Sequence, residues 1–232
     1  MPIEDRIEQL ARLVLVILLL VTLGWISQSK AQSKPPDGAA GGGAPLILIA
    51  KPGLNDAFFG ASILIAKPIG DGRHVGFAIN RPTDMTLGKL FPEHGPSQKV
   101  PGPVYLGGPS NTEYIFALVQ SKDNPGGESL RLAQDLFIAV DAKTVDRIIE
   151  VDPSHARFFA GLIAWRPGEL QEELRRGLWY VEESDSNLVM RNSTEGLWEE
   201  LVRRSERRAI AIKHADTFVV SSRERLHAGI GH

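Results

Sequence analysis

The chain contains no cysteine among its 232 residues. That removes disulfides, thiolate nucleophiles, Cys-ligated zinc and iron–sulfur clusters together, in any compartment. Whatever chemistry it performs must use oxygen and nitrogen groups. Histidine is also sparse: His74, His94, His155, His214, His227 and His232 show no His-x-x-x-His or HExxH spacing, so metal catalysis is disfavoured and no metal or cofactor is expected. No Gly-x-Ser-x-Gly elbow exists for a serine hydrolase. A triad of Ser62, His155 and Asp56 can be drawn, but any chain with this many Ser, His and Asp allows one. A dominant charge is missing too, since 26 Lys and Arg face 28 Asp and Glu for a net charge of -2.

That near-neutral total conceals a regional pattern. Residues 203–232 carry seven bases and three acids, residues 1–45 are balanced, and the stretch between them is left at -6. An acidic body opposes non-specific nucleic-acid binding, which depends on neutralising phosphates. What the chain does have is a globular composition, 43% hydrophobic and 23% charged, enough for one ordinary domain.

Its longest hydrophobic run is Leu13 to Ile26, LVLVILLLVTLGWI, fourteen residues without a charge. As a helix it covers about 21 Å, and with Leu10, Ala11 and a snorkelling Arg12 it becomes a marginal membrane span. Residues 1–26 are therefore expected to be a signal peptide or a transmembrane anchor. Ser29-Lys30-Ala31 offers the small residues a signal peptidase reads, whereas Trp25 suits the interface of an uncleaved anchor. Lys and Arg are equal on the two flanks, so the positive-inside rule does not orient the segment. Residues 27–45, SQSKAQSKPPDGAAGGGAP, lack apolar periodicity and read as a flexible tether. Their glycines lack the spacing of a phosphate loop.

From Leu46 the signals become those of a folded domain ending near residue 202. Leu46 to Ala50 and Ser62 to Ala66 are short β-branched runs suited to strands buried on both faces. Between them Pro52-Gly53 and Asn55-Asp56 force a turn. Val75 to Ile79 is a third strand, ended by Asn80-Arg81-Pro82. Val104 to Leu106 and Tyr114 to Gln120 follow, joined through Gly107-Gly108-Pro109, and then Leu130 to Leu132 and Phe137 to Val140. Asp141 caps a helix over Ala142 to Glu150. Phe158 to Ala164 is another strand, leading to a short helix with Pro167 at its first position, Glu172 paired with Arg176, and Gly177 at its end. A last helix spans about Thr194 to Arg204. These elements predict an α/β (mixed α+β) domain, a single compact unit whose mixed sheet is flanked by helices, preceded by the hydrophobic helix and linker.

The stretches PGLND with Phe59 and Ser62, GFAINRP, VYLGGP, and FFAGLIAWRPGELQEEL followed by Gly177 and Trp179 resemble those of the YqgE/AlgH proteins. Their order and spacing cover roughly Leu46 to Leu201. The resemblance implies a compact α/β domain with a mixed sheet flanked by helices. It brings no established reaction; members are described as uncharacterised or, under the AlgH name, as transcriptional regulators. This chain departs from the family in its leader and tether, in its extension past Leu201, and in having Lys67-Pro68 where a histidine is common.

Six residues are candidates for ligand binding. Asp56 is placed to act as a base or a metal ligand, or simply to cap the turn that follows it. Asn80 and Arg81 lie at a strand end, where open sheets often bind ligands and where the guanidinium fork suits a carboxylate or phosphate. Gly107 and Gly108 can offer N–H groups to an anion or merely join two strands. Trp165 either lines a pocket or packs the last strand on its helix, and packing is favoured. The basic extension, residues 203–232, can prolong the last helix, dock on anionic lipid or an acidic partner, or form a loose tail.

Taken together these features point to a non-enzymatic binding or regulatory module, tethered to a membrane or exported, acting on an unidentified protein or small ligand. Two rivals remain. One is an enzyme with a strand-end site around Asp56, Asn80 and Arg81; the other is a cytoplasmic regulator, which requires the domain to stay inside on its anchor.

Overall fold

The computed structural model describes residues 43–133 and 135–211. The apolar run at 13–26, most of the tether and the end of the basic extension lie outside the described residues. No helix among the described residues is long and apolar enough to cross a membrane.

The domain is α+β, built on one curled ten-stranded sheet whose order is β10-β1-β2-β3-β9-β6-β8-β7, with a β4-β5 pair branching from it. The strands are β1 (Leu46–Ala50), β2 (Ile63–Gly70), β3 (Arg73–Ala78), β4 (Pro82–Thr86), β5 (Pro103–Leu106), β6 (Ser110–Gln120), β7 (Leu130–Ala133), β8 (Leu136–Ala139), β9 (Ala156–Trp165) and β10 (Trp179–Glu183). All pairings are antiparallel except β5 with β9. Among the described residues five α-helices accompany them: α1 (Leu87–Leu90), α2 (Ala142–Val151), α3 (Glu169–Arg175), α4 (Ser186–Val189) and α5, over 197–211.

β9 is the spine of the sheet. It reads ARFFAGLIAW, long enough to pair with β6 along one edge while taking β5 at Phe159 and Ala160 and β3 at Ile163 to Trp165 on the other. The sheet therefore forks at this strand. Inserting β5 between β3 and the start of β9 brings the ends of β3 and β5 together, and Asn80, Arg81, Gly107 and Gly108 all fall at that fork.

Strand alternation sorts the apolar residues between two faces. In β1, Ile47 and Ile49 join Ile63, Ile65 and Phe77 under Leu197, Leu201 and Val202 of α5. Leu48 and Ala50 point the other way, with Leu64, Ala66, Ala78 and Trp165, and Leu170 of α3 closes over them. Farther along, Val145, Ile148 and Ile149 of α2 cover Ala117, Val119, Ala139 and Phe158. The expected Asp141 cap is present: its Oδ1 accepts from Thr144 N at 2.9 Å.

Several boundaries differ from the sequence reading. β3 stops at Ala78, before Asn80-Arg81-Pro82 as expected, but Pro82 then opens an unforeseen strand, β4, a short irregular edge where a missing N–H costs little. Helix α3 starts at Glu169, after Gly168 at φ 87°, so Pro167 sits in the turn before it. Glu172 pairs with Arg175 rather than Arg176, whose backbone N–H closes the helix instead. α5 begins at 197 and continues to 211, so the Arg203-Arg204 and Arg207-Arg208 pairs ride on it. Arg204 reaches back to the buried carboxylate of Glu182 on β10, which also accepts from Ser205 Oγ at 3.2 Å. This pins the helix to the edge strand.

Candidate functional site

At the fork of the sheet, the β1–β2 connection folds over the end of β3. Asp56 begins a turn in that connection. Its Oδ1 accepts from Phe58 N at 2.8 Å and Phe59 N at 2.7 Å. These two N–H groups, with a smaller contribution from the Arg81 charge, hold the carboxyl below the usual aspartate range. Asp56 is exposed and ionised, and Oδ2 takes no partner among the described residues.

Asn80 and Arg81 staple the same connection from below. Asn80 Oδ1 accepts from Ile63 N at 2.8 Å and its Nδ2 donates to Ala61 O at 2.9 Å, so its amide substitutes for a missing strand neighbour at the start of β2. Ala61 has φ 54°, a left-handed conformation costly for a residue with a Cβ. The Asn80 bond to its carbonyl helps to fix that bend. Arg81 donates from Nε to Ser62 Oγ at 3.1 Å and from Nη2 to Gly60 O at 2.6 Å. Its guanidinium carbon stands 5.2 Å from the centre of the Phe58 ring, a cation–π distance. Partial burial lowers the Arg81 pKa and the Asp56 charge opposes that shift. Nη1 has no hydrogen-bond partner among the described residues.

Ser62 is fully buried between these groups. Its hydroxyl donates to Phe58 O at 2.7 Å and accepts from Arg81. Among the described residues no histidine or carboxylate bonds to it, so none of them activates it as a nucleophile. The Ser62, His155, Asp56 triad does not assemble: His155 is bonded to Asp152 and Ser154 instead.

Gly107 and Gly108 lie where β5 crosses β9. Gly107 N donates to Ala160 O at 2.8 Å and its carbonyl accepts from Ala78 N at 2.7 Å. A Cβ on Gly108 would stand 2.0 Å from the Leu162 carbonyl carbon, and one on Gly161 2.4 Å from Gly108 O. Two backbones touch here, and only glycine permits it. Trp165 is buried over Gly76, where a Cβ would meet the indole at 2.6 Å. Its Nε1 donates to Glu173 Oε1 at 3.1 Å, and Trp179 Nε1 donates to Oε2 of the same carboxylate at 2.9 Å. One acidic side chain on α3 thus satisfies two indoles. Trp165 is packed against its helix, away from Asp56 in its bonding network.

The structure therefore joins Asp56, Asn80 and Arg81 through Ser62 and Phe58, while the two glycines and Trp165 shape the sheet beside them. Sequence reading passed over Arg157. It is buried on β9, donates from Nη2 to Ile79 O at 2.7 Å and from Nη1 to Val189 O, and lies 4.0 Å from the Tyr105 ring centre. Burial lowers its pKa, with Tyr105 opposing. The available signal was a lone charge opening an apolar strand run. Among the described residues no group of three or more His, Cys, Asp or Glu is arranged to hold a metal ion.

Comparison with known proteins agrees with this architecture. The sequence profile described as AlgH-like matches residues 47–209. A UPF0301 protein of Parabacteroides distasonis is 29% identical over 160 residues, covering 67% of this chain and 79% of that protein. A UPF0301 protein of Saccharophagus degradans is 31% identical over 157 residues, covering 65% and 76%. The solution structure of the Pseudomonas aeruginosa AlgH protein superposes with a TM-score of 0.58 at 21% identity over 75% of this chain and 92% of that one. A Corynebacterium diphtheriae crystal structure gives 0.59 at 22% identity over 75% and 90%. With the profile spanning the whole sheet from β1 into α5, the chain belongs to the AlgH-like family.

Proposed function

We propose that the protein is a non-catalytic binding module, held at a membrane or exported by the apolar segment at 13–26, that presents the Asp56, Phe58 and Arg81 corner to a partner. The observation that carries this reading is how the corner's polar atoms are used. Ser62 and Asn80 are spent on the backbone, and Asp56 is kept ionised by two N–H groups. A general base works best with a pKa near the working pH, and the low Asp56 pKa runs the other way. Among the described residues Nη1 of Arg81 and Oδ2 of Asp56 take no partner, a donor and an acceptor beside the half-buried Phe58 ring that Arg81 stacks on. Those groups suit recognition of a partner that supplies both charges.

The rival enzyme at this corner needs a base aimed at Ser62 or a substrate, and the cytoplasmic regulator needs DNA contact against an acidic body. The deciding experiment places a photo-crosslinking residue at position 58 of the full-length chain in its native cell. A discrete adduct in the membrane fraction, lost with Arg81→Gln, is expected. Turnover of any substrate that disappears with Arg81→Gln while the fold persists would overturn the reading.

A further inference from the structure

A second set of polar groups lies at the opposite end of β6, away from the fork. The end of β6, the following turn and helix α2 enclose an open cleft of about 260 Å³, lined among others by Val119, Pro125, Arg147, Ile148, Val151 and His155. Its apolar lining is uneven, with Val119 and Ile148 buried and Val151 open to water. Val151, the last residue of α2, is 77% exposed, although valine at a helix end has no local reason to face water.

The cation at this wall is uncommitted. Arg147 makes no hydrogen bond or ion pair among the described residues. Its guanidinium lies against Gly126, where a Cβ would stand 2.7 Å from Nη2. His155 is oriented instead. Its Nδ1 faces Asp152 Oδ2 at 3.0 Å and Ser154 Oγ at 3.1 Å, which leaves Nε2 without a partner among the described residues. The neighbouring carboxylate, Asp152, is bonded to Ser154 and His155 and not to Arg147. Its Oδ1 also accepts from Ser154 N at 3.2 Å, and its pKa is lowered first by Ser154 and then by His155. Of the other polar side chains lining the cleft, Gln120 donates to Asp135 at 2.8 Å and Ser121 Oγ accepts from Asp123 N at 3.3 Å.

From this geometry we infer that the cleft is a binding site for a short aliphatic carboxylate, with Arg147 taking the carboxylate, His155 flanking it, and Val119, Ile148 and Val151 taking the alkyl group. A planar fork with free N–H groups matches a carboxylate in two parallel bonds. The volume is below the usual range for drug-sized ligands, which limits the alkyl part to a few carbons. The same chemistry is offered by a free branched acid and by the C-terminal residue of a peptide.

The test titrates the full-length chain in detergent with 3-methylbutanoate, its amide, and the peptide Ala-Ala-Val with a free or an amidated end, read by ligand-observed NMR. Saturable binding of the acid below about 10 mM is expected, with the amide much weaker. Arg147→Gln should weaken the acid about tenfold or more, as loss of a charge-assisted bond implies. Val151→Asp, at an exposed position that leaves folding intact, should abolish it, while Arg73→Gln on the far hairpin should change nothing. Ala-Ala-Val displacing the acid supports the site and assigns the source to peptide ends. An acid that binds while the peptide does not supports the site and assigns it to free acids. Equal binding of acid and amide, no saturation, or an Arg147→Gln titration identical to that of the unaltered chain would overturn the assignment.

Discussion

The two ends of the domain use polar side chains in opposite ways. At the fork, Asp56 and Ser62 bond within the β1–β2 connection, and Asn80 and Arg81 reach into it from beyond β3, so that together they fix its path. At the α2 cleft, Arg147 makes no bond and the His155 Nε2 takes no partner among the described residues. Density of motif residues marks the first region, whereas nothing in the sequence singles out the second. A polar residue embedded in a tight motif is thus often wiring, and a free cation beside an exposed valine is the stronger pointer to a ligand. That contrast can be broken by substitution, because wiring changes stability and a ligand site does not.

The largest effect is expected at Gly108. A Cβ there would lie 2.0 Å from the Leu162 carbonyl carbon, and the obstacle is backbone, not a side-chain tip that can swing away. Gly108→Ala should cost about 3–5 kcal/mol, above ordinary overpacking, and most of the protein should be recovered insoluble. Denaturant unfolding of any soluble fraction measures it. A loss below about 1 kcal/mol would show that β5 and β9 can part without cost, and the fork would no longer be a rigid platform.

Asn80 comes next. Asn80→Ala leaves Ile63 N and Ala61 O without their partners, two backbone groups at the mouth of β2. Each half-buried loss costs roughly 1–1.5 kcal/mol, so about 2–3 kcal/mol is expected. Asn80→Asp sharpens the comparison, since it keeps the acceptor for Ile63 N but sets a carboxylate against the Ala61 carbonyl. It should recover little of the loss at neutral pH. Full recovery would mean that the Ala61 bond contributes nothing.

Much of this fold was legible in the sequence. The runs LILIA, SILIA and VGFAI became β1, β2 and β3 because apolar strands covered on both faces need no polar alternation. The α2 cap at Asp141 was readable from residue type and position. β4 and β10 were not. PTDMT is an irregular edge whose register slips, and WYVEE carries two acids, one of them buried only because Arg204 arrives from α5. Such pairings are set by tertiary neighbours, so no local pattern reports them. At the site, the capping role of Asp56 and the packing role of Trp165 could both be weighed from sequence. The bonds that make Asn80 and Arg81 into staples depend on a chain seventeen to twenty-one residues away. Arg147 and His155 converge only through the turn after α2; sequence reading named His155 solely in a triad that does not assemble, and Arg147 in no site.

A smaller effect is expected from Asp56 and follows pH. Its folded pKa is depressed by the Phe58 and Phe59 N–H groups, so its contribution is present above the ordinary aspartate value of about 4 and fades as pH falls through the lower folded value. Because the carboxylate is well exposed, water discounts the gain, and Asp56→Ala should cost only about 0.5–1 kcal/mol at pH 7, as for a surface cap. The two stability curves should run parallel above about pH 5 and converge in acid. A constant gap down to pH 2 would mean that the turn is held by something other than the ionised cap.

The smallest stability effect should come from Arg147→Gln, and its smallness is what separates the two regions. The guanidinium donates to no protein atom among the described residues and lies beside Gly126 at the cleft. Its removal should shift unfolding by no more than about 0.5 kcal/mol, within the range of a featureless surface substitution. In the presence of saturating 3-methylbutanoate the difference should grow, because a ligand that binds only the folded state stabilises the unaltered chain and not the variant. A large loss without ligand would mean that Arg147 is wired like Arg81, to a group beyond the described residues, and the contrast between the two ends of the domain would disappear.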